Sequence, residues 1–264
     1  MSLFAELASS RIHYDDAGQG DAVLLLHGLG LDLRMWDDQV PALAQRYRVI
    51  RMDLHGFGKS SGVTGPFSHA EVISQLLAHL KLERAHIVGL SLGGLLAAEF
   101  VQEYPKLSRS LTLVDSDMSG LSWKTLGPSI GKVFGAGKTN VAEAKRLWIE
   151  HEFFAAARKR PAVMARIEQM VSDYSGWLFA NAGAGLERKP QPRTAEVLKD
   201  FALPVLVAIG QYDLPDFQDI ADEVSQRIPG ARKIVLEGVG HMSNMEDPAS
   251  FNRVLLEFLA TVRG

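Results

Sequence analysis

Residues 85–104 read AHIVGLSLGGLLAAEFVQEY. The first part is a short apolar run ending in glycine. The second part places apolar residues at helical intervals until Pro105 stops it. At the junction, Gly89-Leu90-Ser91-Leu92-Gly93 has the pattern G-x-S-x-G. A strand that turns directly into a helix with serine at the corner is what a nucleophile elbow requires. Such a turn holds the serine in a strained backbone conformation. A side chain at position 89 or 93 would collide with neighbouring backbone, so glycine is expected at both. A helix from about Leu92 to Tyr104 aims its free N–H groups and positive dipole end at the corner. The bland alternative is a small-residue turn with a bystander serine.

The same alternation extends on both sides. Ala22–Leu26 (AVLLL), Val49–Met52, Ala85–Gly89, Leu111–Val114, Pro204–Ile209 and Lys233–Leu236 read as strands. Ser68 and Glu71 have capping-box spacing, and Val72, Ile73, Leu76, Leu77 and Leu80 follow on one helix face. A last helix follows Pro248. Strands alternating with helices predict an α/β fold with a mostly parallel central sheet flanked by helices. The rhythm breaks after Met118. The segment that follows is helix-like and holds Trp123, Trp148 and Trp177, three of the four tryptophans. Residues 119–200 carry 13 Lys and Arg against 8 Asp and Glu, in a chain whose formal net charge is -3. The expected division is core over 1–118, an inserted helical lid over 119–202, and core again over 203–264. Extra packing is the plain alternative to a lid.

Composition narrows the chemistry. The 264 residues are 47% hydrophobic and 22% charged, as in ordinary globular proteins, and the small negative net charge gives no basic field for nucleic acid. With no cysteine there is no disulfide, no thiolate metal site and no cysteine nucleophile. No apolar run approaches the ~18 residues of a membrane span, and the N-terminus lacks the basic and apolar regions of a signal peptide. A cytoplasmic protein without membrane partners is the expectation.

A serine hydroxyl is a weak nucleophile at neutral pH and needs a base. His241 lies in Gly238-Val239-Gly240-His241, just after a strand, where a loop can bring it to the rim that holds Ser91. A carboxylate must hold its imidazole in one tautomer. Asp213, in Gly210-Gln211-Tyr212-Asp213-Leu214-Pro215, follows another strand at that rim. Asp115 also follows a strand and is the rival acid. Asp216 and Asp219 read as helix N-terminal residues, and Glu246 as loop and helix-start structure. His27 and His55 lie in core loops, where local hydrogen bonding is expected. Phe57-Gly58-Lys59-Ser60 lacks the glycine at 53 that a phosphate loop needs. GKVFGAGKT at 131–139 is one residue too long, and GLGLDL at 28–33 lacks the third glycine of a dinucleotide fingerprint. The histidines show no metal-binding spacing. No cofactor and no metal are expected.

The order Ser91, Asp213, His241 is the order of α/β-hydrolases. The chain resembles that family over essentially its whole length. The resemblance rests on HGLG at 27–30, DLHGFGKS at 53–60, GLSLGG at 89–94, GQYDLP at 210–215 and GVGHMSNMEDP at 238–248. It is similar to lidded carboxylesterases and to 3-oxoadipate enol-lactonase-like hydrolases, although Leu214-Pro215 departs from the threonine-proline usual in that lactonase group. The resemblance implies an α/β-hydrolase fold, a triad of Ser91, His241 and Asp213, and an oxyanion hole made by the backbone N–H groups of Leu29 and Leu92. It implies a small ester or lactone substrate, with Trp123, Trp148 and Trp177 available to wall its pocket beside Phe134, Phe154 and Tyr174. Two other activities fit the same triad: C–C hydrolysis of a diketone and cofactor-free peracid formation. A different class, a small-molecule receptor in a hydrolase shell, also remains open.

Overall fold

The computed structural model describes residues 3–8 and 10–262. Eight strands form one sheet: β1 Leu3–Glu6, β2 Arg11–Ala17, β3 Ala22–Leu26, β4 Arg48–Met52, β5 Ala85–Leu90, β6 Ser108–Val114, β7 Val205–Gly210 and β8 Arg232–Leu236. Their order is β1-β2-β4-β3-β5-β6-β7-β8, parallel from β4 to β8, with β1 and β2 antiparallel at one edge. The α-helices are α1 Val40–Leu43, α2 His69–His79, α3 Leu92–Glu103, α4 Gly127–Gly137, α5 Val141–Ile149, α6 Pro161–Asp173, α7 Trp177–Asn181, α8 Pro215–Arg227, α9 Ser243–Glu246 and α10 Pro248–Thr261.

Central strands of a parallel sheet are covered on both faces, so continuous apolar runs fit them. β3, β5 and β7 are buried along their whole length. β6 begins earlier than its apolar run, at Ser108. Its polar Ser110 is tolerated inside because the hydroxyl pairs with His86 Nδ1 at 2.8 Å. The hairpin β1–β2 is absent from the sequence-based reading. It is an edge, and its charges are met across the sheet rather than by a core. Arg51 pairs with Asp15 at 2.9 Å and Arg48 with Asp16 at 2.7 Å. The Ser68 cap forms as expected, its Oγ accepting the Glu71 N–H at 3.3 Å.

Chain order reverses between β3 and β5, the switch point at which open α/β sheets form a crevice beyond the strand ends. The carboxyl ends of β3, β5, β6, β7 and β8 lead into the loops of His27, Ser91, Asp115, Asp213 and His241 respectively. Helices α4–α7 all lie between β6 and β7 in the chain. No helix among the described residues is long and apolar enough to cross a membrane.

Candidate active site

Ser91 sits at the β5–α3 corner with φ +55° and ψ -115°, in the left-handed half of backbone space that serine rarely adopts. The corner is held on both sides. The Ser91 N–H donates to the Val114 carbonyl at 2.9 Å, and the Ser91 carbonyl accepts from Gly94 and Leu95 N–H groups. A Cβ at Gly89 would overlap the Gly93 carbonyl, and one at Gly93 would overlap the Leu26 carbonyl. Only glycine lets β5, α3 and the end of β3 approach this closely, as the elbow pattern requires. α3 starts at Leu92, whose N–H is one of the four at a helix start that find no partner within the helix.

His241 is 5% exposed. Its Nδ1 lies 2.9 and 3.0 Å from Asp213 Oδ1 and Oδ2. An ionised carboxylate only accepts, so Nδ1 carries the hydrogen and Nε2 is left free for the reacting side. The imidazole is wedged between Phe153 and Phe217, with ring centroids at 4.4 and 4.5 Å. Asp213 Oδ1 also accepts the Leu214 N–H at 2.7 Å. The two loops are stitched together, Gln211 N–H donating to the Leu236 carbonyl and Tyr212 N–H to that of Val239.

Ser91 and His241 line one small cavity together with Gly28, Leu29, Trp148 and Phe154. Its volume is about 10 Å³, the lower bound for a single water. Leu29 and Trp148 thus both belong to the lining that contains Ser91. Trp177 instead lines a neighbouring cavity of about 170 Å³ that meets the elbow at Leu92. Trp123 belongs to neither lining; its indole N–H donates to Asp117 Oδ1 at 3.1 Å. Phe134 packs on Phe179, and Tyr174 stacks on Phe57 at 4.8 Å.

The rival acid Asp115 is fully buried, with φ +44°. It does not bond the imidazole. Oδ1 accepts the Gly210 N–H at 2.7 Å, and Oδ2 accepts the hydroxyl and the N–H of Ser243. One carboxylate thus ties the Asp213 loop to the His241 loop. Burial, and then the charge of Asp213, pushes its carboxyl well above the usual carboxylate range. Glu246 braces the same loop, accepting the Gly240 and Met242 N–H groups at 2.9 and 3.2 Å. Arg160, from the segment between β6 and β7, reaches it at 3.2 Å. Sequence reading gave Glu246 a structural place but could not see that its partners flank His241. Asp216 stands at the start of α8 as expected. It also accepts the N–H groups of Lys124, Thr125 and Leu126, anchoring the approach to α4.

His27 bridges two loops, Nδ1 donating to the Gly28 carbonyl at 2.8 Å while Nε2 accepts the Leu54 N–H at 3.0 Å. Burial pulls it down, so it stays neutral for that exchange. His55 departs from expectation. Its Nδ1 is buried without a partner among the described residues, and the ring instead packs edge-on to Phe67. Among the described residues no group of three or more His, Asp and Glu side chains is placed to hold a metal ion.

A parallel sheet with a strained serine corner and a histidine–aspartate pair at its carboxyl rim defines a class of protein, and comparison with known proteins agrees. Residues 21–248 match the family described as alpha/beta hydrolase fold. A 2-hydroxy-6-oxononadienedioate/2-hydroxy-6-oxononatrienedioate hydrolase of Burkholderia vietnamiensis is 31% identical, over 94% of this chain and 91% of that protein. A thermophilic esterase from Thermogutta terrifontis superposes with TM-score 0.86 at 26% identity, covering 100% of both chains. The enol-lactonase from Burkholderia xenovorans LB400 gives 0.85 at 25% identity, over 98% of this chain and 100% of that one. The chain belongs to the α/β-hydrolase family and is a hydrolase.

Proposed function

We propose that this chain is a serine hydrolase of small carboxylic esters or lactones, enol-lactones included, working through an acyl-enzyme. One observation carries the reading: a strained Ser91 and a buried His241, whose Nδ1 is held by Asp213, line the same small cavity. Ser91 Oγ attacks the acyl carbon while His241 Nε2 takes its proton. Asp213 holds the imidazole in the required tautomer and stabilises its cation. The N–H groups of Leu29 and Leu92 hold the oxyanion, one such donor being worth ~2.7–4 kcal/mol in a related setting. His241 then protonates the leaving oxygen and activates the water that releases the acid.

Residues 119–202 act as a lid between core parts 1–118 and 203–264. Trp148 and Phe154, both from this segment, line the cavity that contains Ser91. About 10 Å³ admits no substrate, so turnover requires the segment to shift. C–C hydrolysis is the second reading. It is favoured by the 31% identical relative, whose name describes an oxo-dienedioate with no ester to cleave.

The test is labelling with a fluorophosphonate, followed by turnover of matched esters, lactones and dienones by wild type and Ser91→Ala. Ester or lactone turnover lost with Ser91 supports the first reading. Turnover of dienones alone supports the second. Tight ligand binding with no turnover would replace both with a receptor.

A further inference from the structure

The cavity of about 170 Å³ beside Leu92 is amphipathic. Phe57, Phe67, Trp177 and Leu178 give it apolar walls, and His69, Asn181 and the Glu187–Lys189 pair contribute polar groups. Of the side chains lining it, Lys189 alone carries a permanent positive charge. We propose that this cavity is a substrate subsite for an apolar chain ending in a carboxylate, which Lys189 binds in place of Glu99. The inference rests on the hydrolase reading only in making the ligand a part of the substrate.

The geometry around Lys189 is unequal. Its ammonium group has three donors. Glu187 takes one at 2.8 Å, and Glu99 holds another loosely at 3.5 Å. Glu99 projects from α3, the helix that begins at the elbow, and is 3% exposed. Its Oε1 is buried with no partner among the described residues. A buried carboxylate so poorly partnered is costly. Burial accordingly pushes Glu99 up to about 7 against the pull of Lys189. His69, also in the lining, is pushed well down by burial and by Lys189, so it stays a neutral hydrogen-bonding group. Its Nδ1 is likewise buried without a partner among the described residues.

An arriving carboxylate adds a negative charge next to Glu99. Glu99 responds by taking a proton, which releases its share of Lys189. The ligand's charge then replaces that of Glu99, and the local balance of charge is kept. Binding of an anion here is therefore coupled to proton uptake near neutral pH. A neutral ligand of the same shape causes no such uptake.

The experiment measures hexanoate and hexanamide binding to Ser91→Ala by calorimetry in buffers of different ionisation enthalpy, at pH 6 to 8. Removing Ser91 keeps the test independent of turnover. Hexanoate should bind at least tenfold tighter than hexanamide at pH 6.5, with a fraction of a proton taken up. Adding Lys189→Met should erase the tenfold preference. Adding Glu99→Gln should keep the preference, abolish the uptake and flatten the pH dependence. Equal binding of acid and amide, a preference that survives Lys189→Met, or binding without uptake would each overturn the proposal. In the wild type hexanoate should inhibit nitrophenyl acetate turnover, as a ligand occupying part of the substrate site must, and binding without inhibition would overturn its assignment to the substrate. No ester turnover alongside Lys189-dependent hexanoate binding would sink the ester and lactone reading and leave the subsite standing.

Discussion

Exchanging Asp115 for asparagine separates the two carboxylates at the rim. Asp213 puts both oxygens within 3.0 Å of His241 Nδ1, whereas Asp115 reaches only Gly210 and Ser243. Asparagine at 115 keeps an oxygen for the Gly210 N–H and offers its NH₂ to the Ser243 hydroxyl oxygen. What it loses is the bond from the Ser243 N–H, already long at 3.4 Å. One neutral hydrogen bond is worth about 1 kcal/mol. Against that stands the buried carboxylate, pushed up mainly by desolvation. A carboxyl raised in the folded state favours folding at low pH, and the benefit is lost as pH rises above its unfolded value of 3.8. Asp115→Asn should therefore trail the wild type by about 1 kcal/mol at pH 4, and the gap should close or reverse by pH 7. Its kcat/KM for a nitrophenyl ester should fall less than about tenfold, because the imidazole keeps its own partner. Asp213→Asn should lose about 10⁴, or ~5.4 kcal/mol of transition-state stabilisation, through the wrong tautomer. Urea unfolding at the two pH values and steady-state kinetics measure all four quantities. A loss of 10³ or more in Asp115→Asn, with Asp213→Asn nearly active, would show that the acid had been assigned to the wrong strand end.

Ser91→Ala should abolish ester turnover and fluorophosphonate labelling while leaving thermal stability at or above that of the wild type, since it relieves none of the core contacts. Arg160→Met removes the cation beside a fully buried Glu246 side chain. With Arg160 about one-third exposed, the expected loss is about 1–2 kcal/mol, with a fall in kcat because Glu246 shapes the His241 loop. Wild type should lose stability relative to Glu99→Gln as pH rises from 4.5 to about 7. The difference should reach about 3 kcal/mol, and equal slopes of stability against pH would count against a raised Glu99. Gly93→Ala should cost about 3 kcal/mol or prevent folding, read as soluble yield and melting temperature, because its Cβ would meet the Leu26 carbonyl.

The six apolar runs gave strands whose starts and ends agree within about a residue in most cases, because both faces of a parallel sheet demand continuous apolar sequence. β6 is the exception that explains the rule. Its first three residues, Ser108-Arg109-Ser110, carry no apolar signal, and their place in the sheet depends on partners such as His86 that lie 24 residues away. β1 and β2 were illegible for the same reason. Asp15 and Asp16 look like turn or loop residues until Arg48 and Arg51 of β4 lie beside them.

The candidate site divides in the same way. Ser91 was legible because its glycines serve a local steric need, and local needs are written in adjacent positions. Asp213 and His241 were legible as strand-end residues whose chemistry has few alternatives. Glu99, Asp115 and Glu246 carry no such mark. An acid inside an apolar helix such as α3 reads as a surface position, and only tertiary packing makes Glu99 a buried group close to its titration point. The cost of burying these acids is met differently at each place. Glu246 has two N–H donors and a cation, and Asp115 has three donors beside a like charge. Glu99 has one distant ammonium, Ser119 nearby, and an oxygen with no partner among the described residues. The first two are fully engaged in holding the His241 and Asp213 loops, so a ligand has nothing to gain from them. Glu99 is the one whose hydrogen bonding is incomplete. A substrate that completes it, or displaces it from Lys189, has a source of binding energy that the other two acids cannot offer.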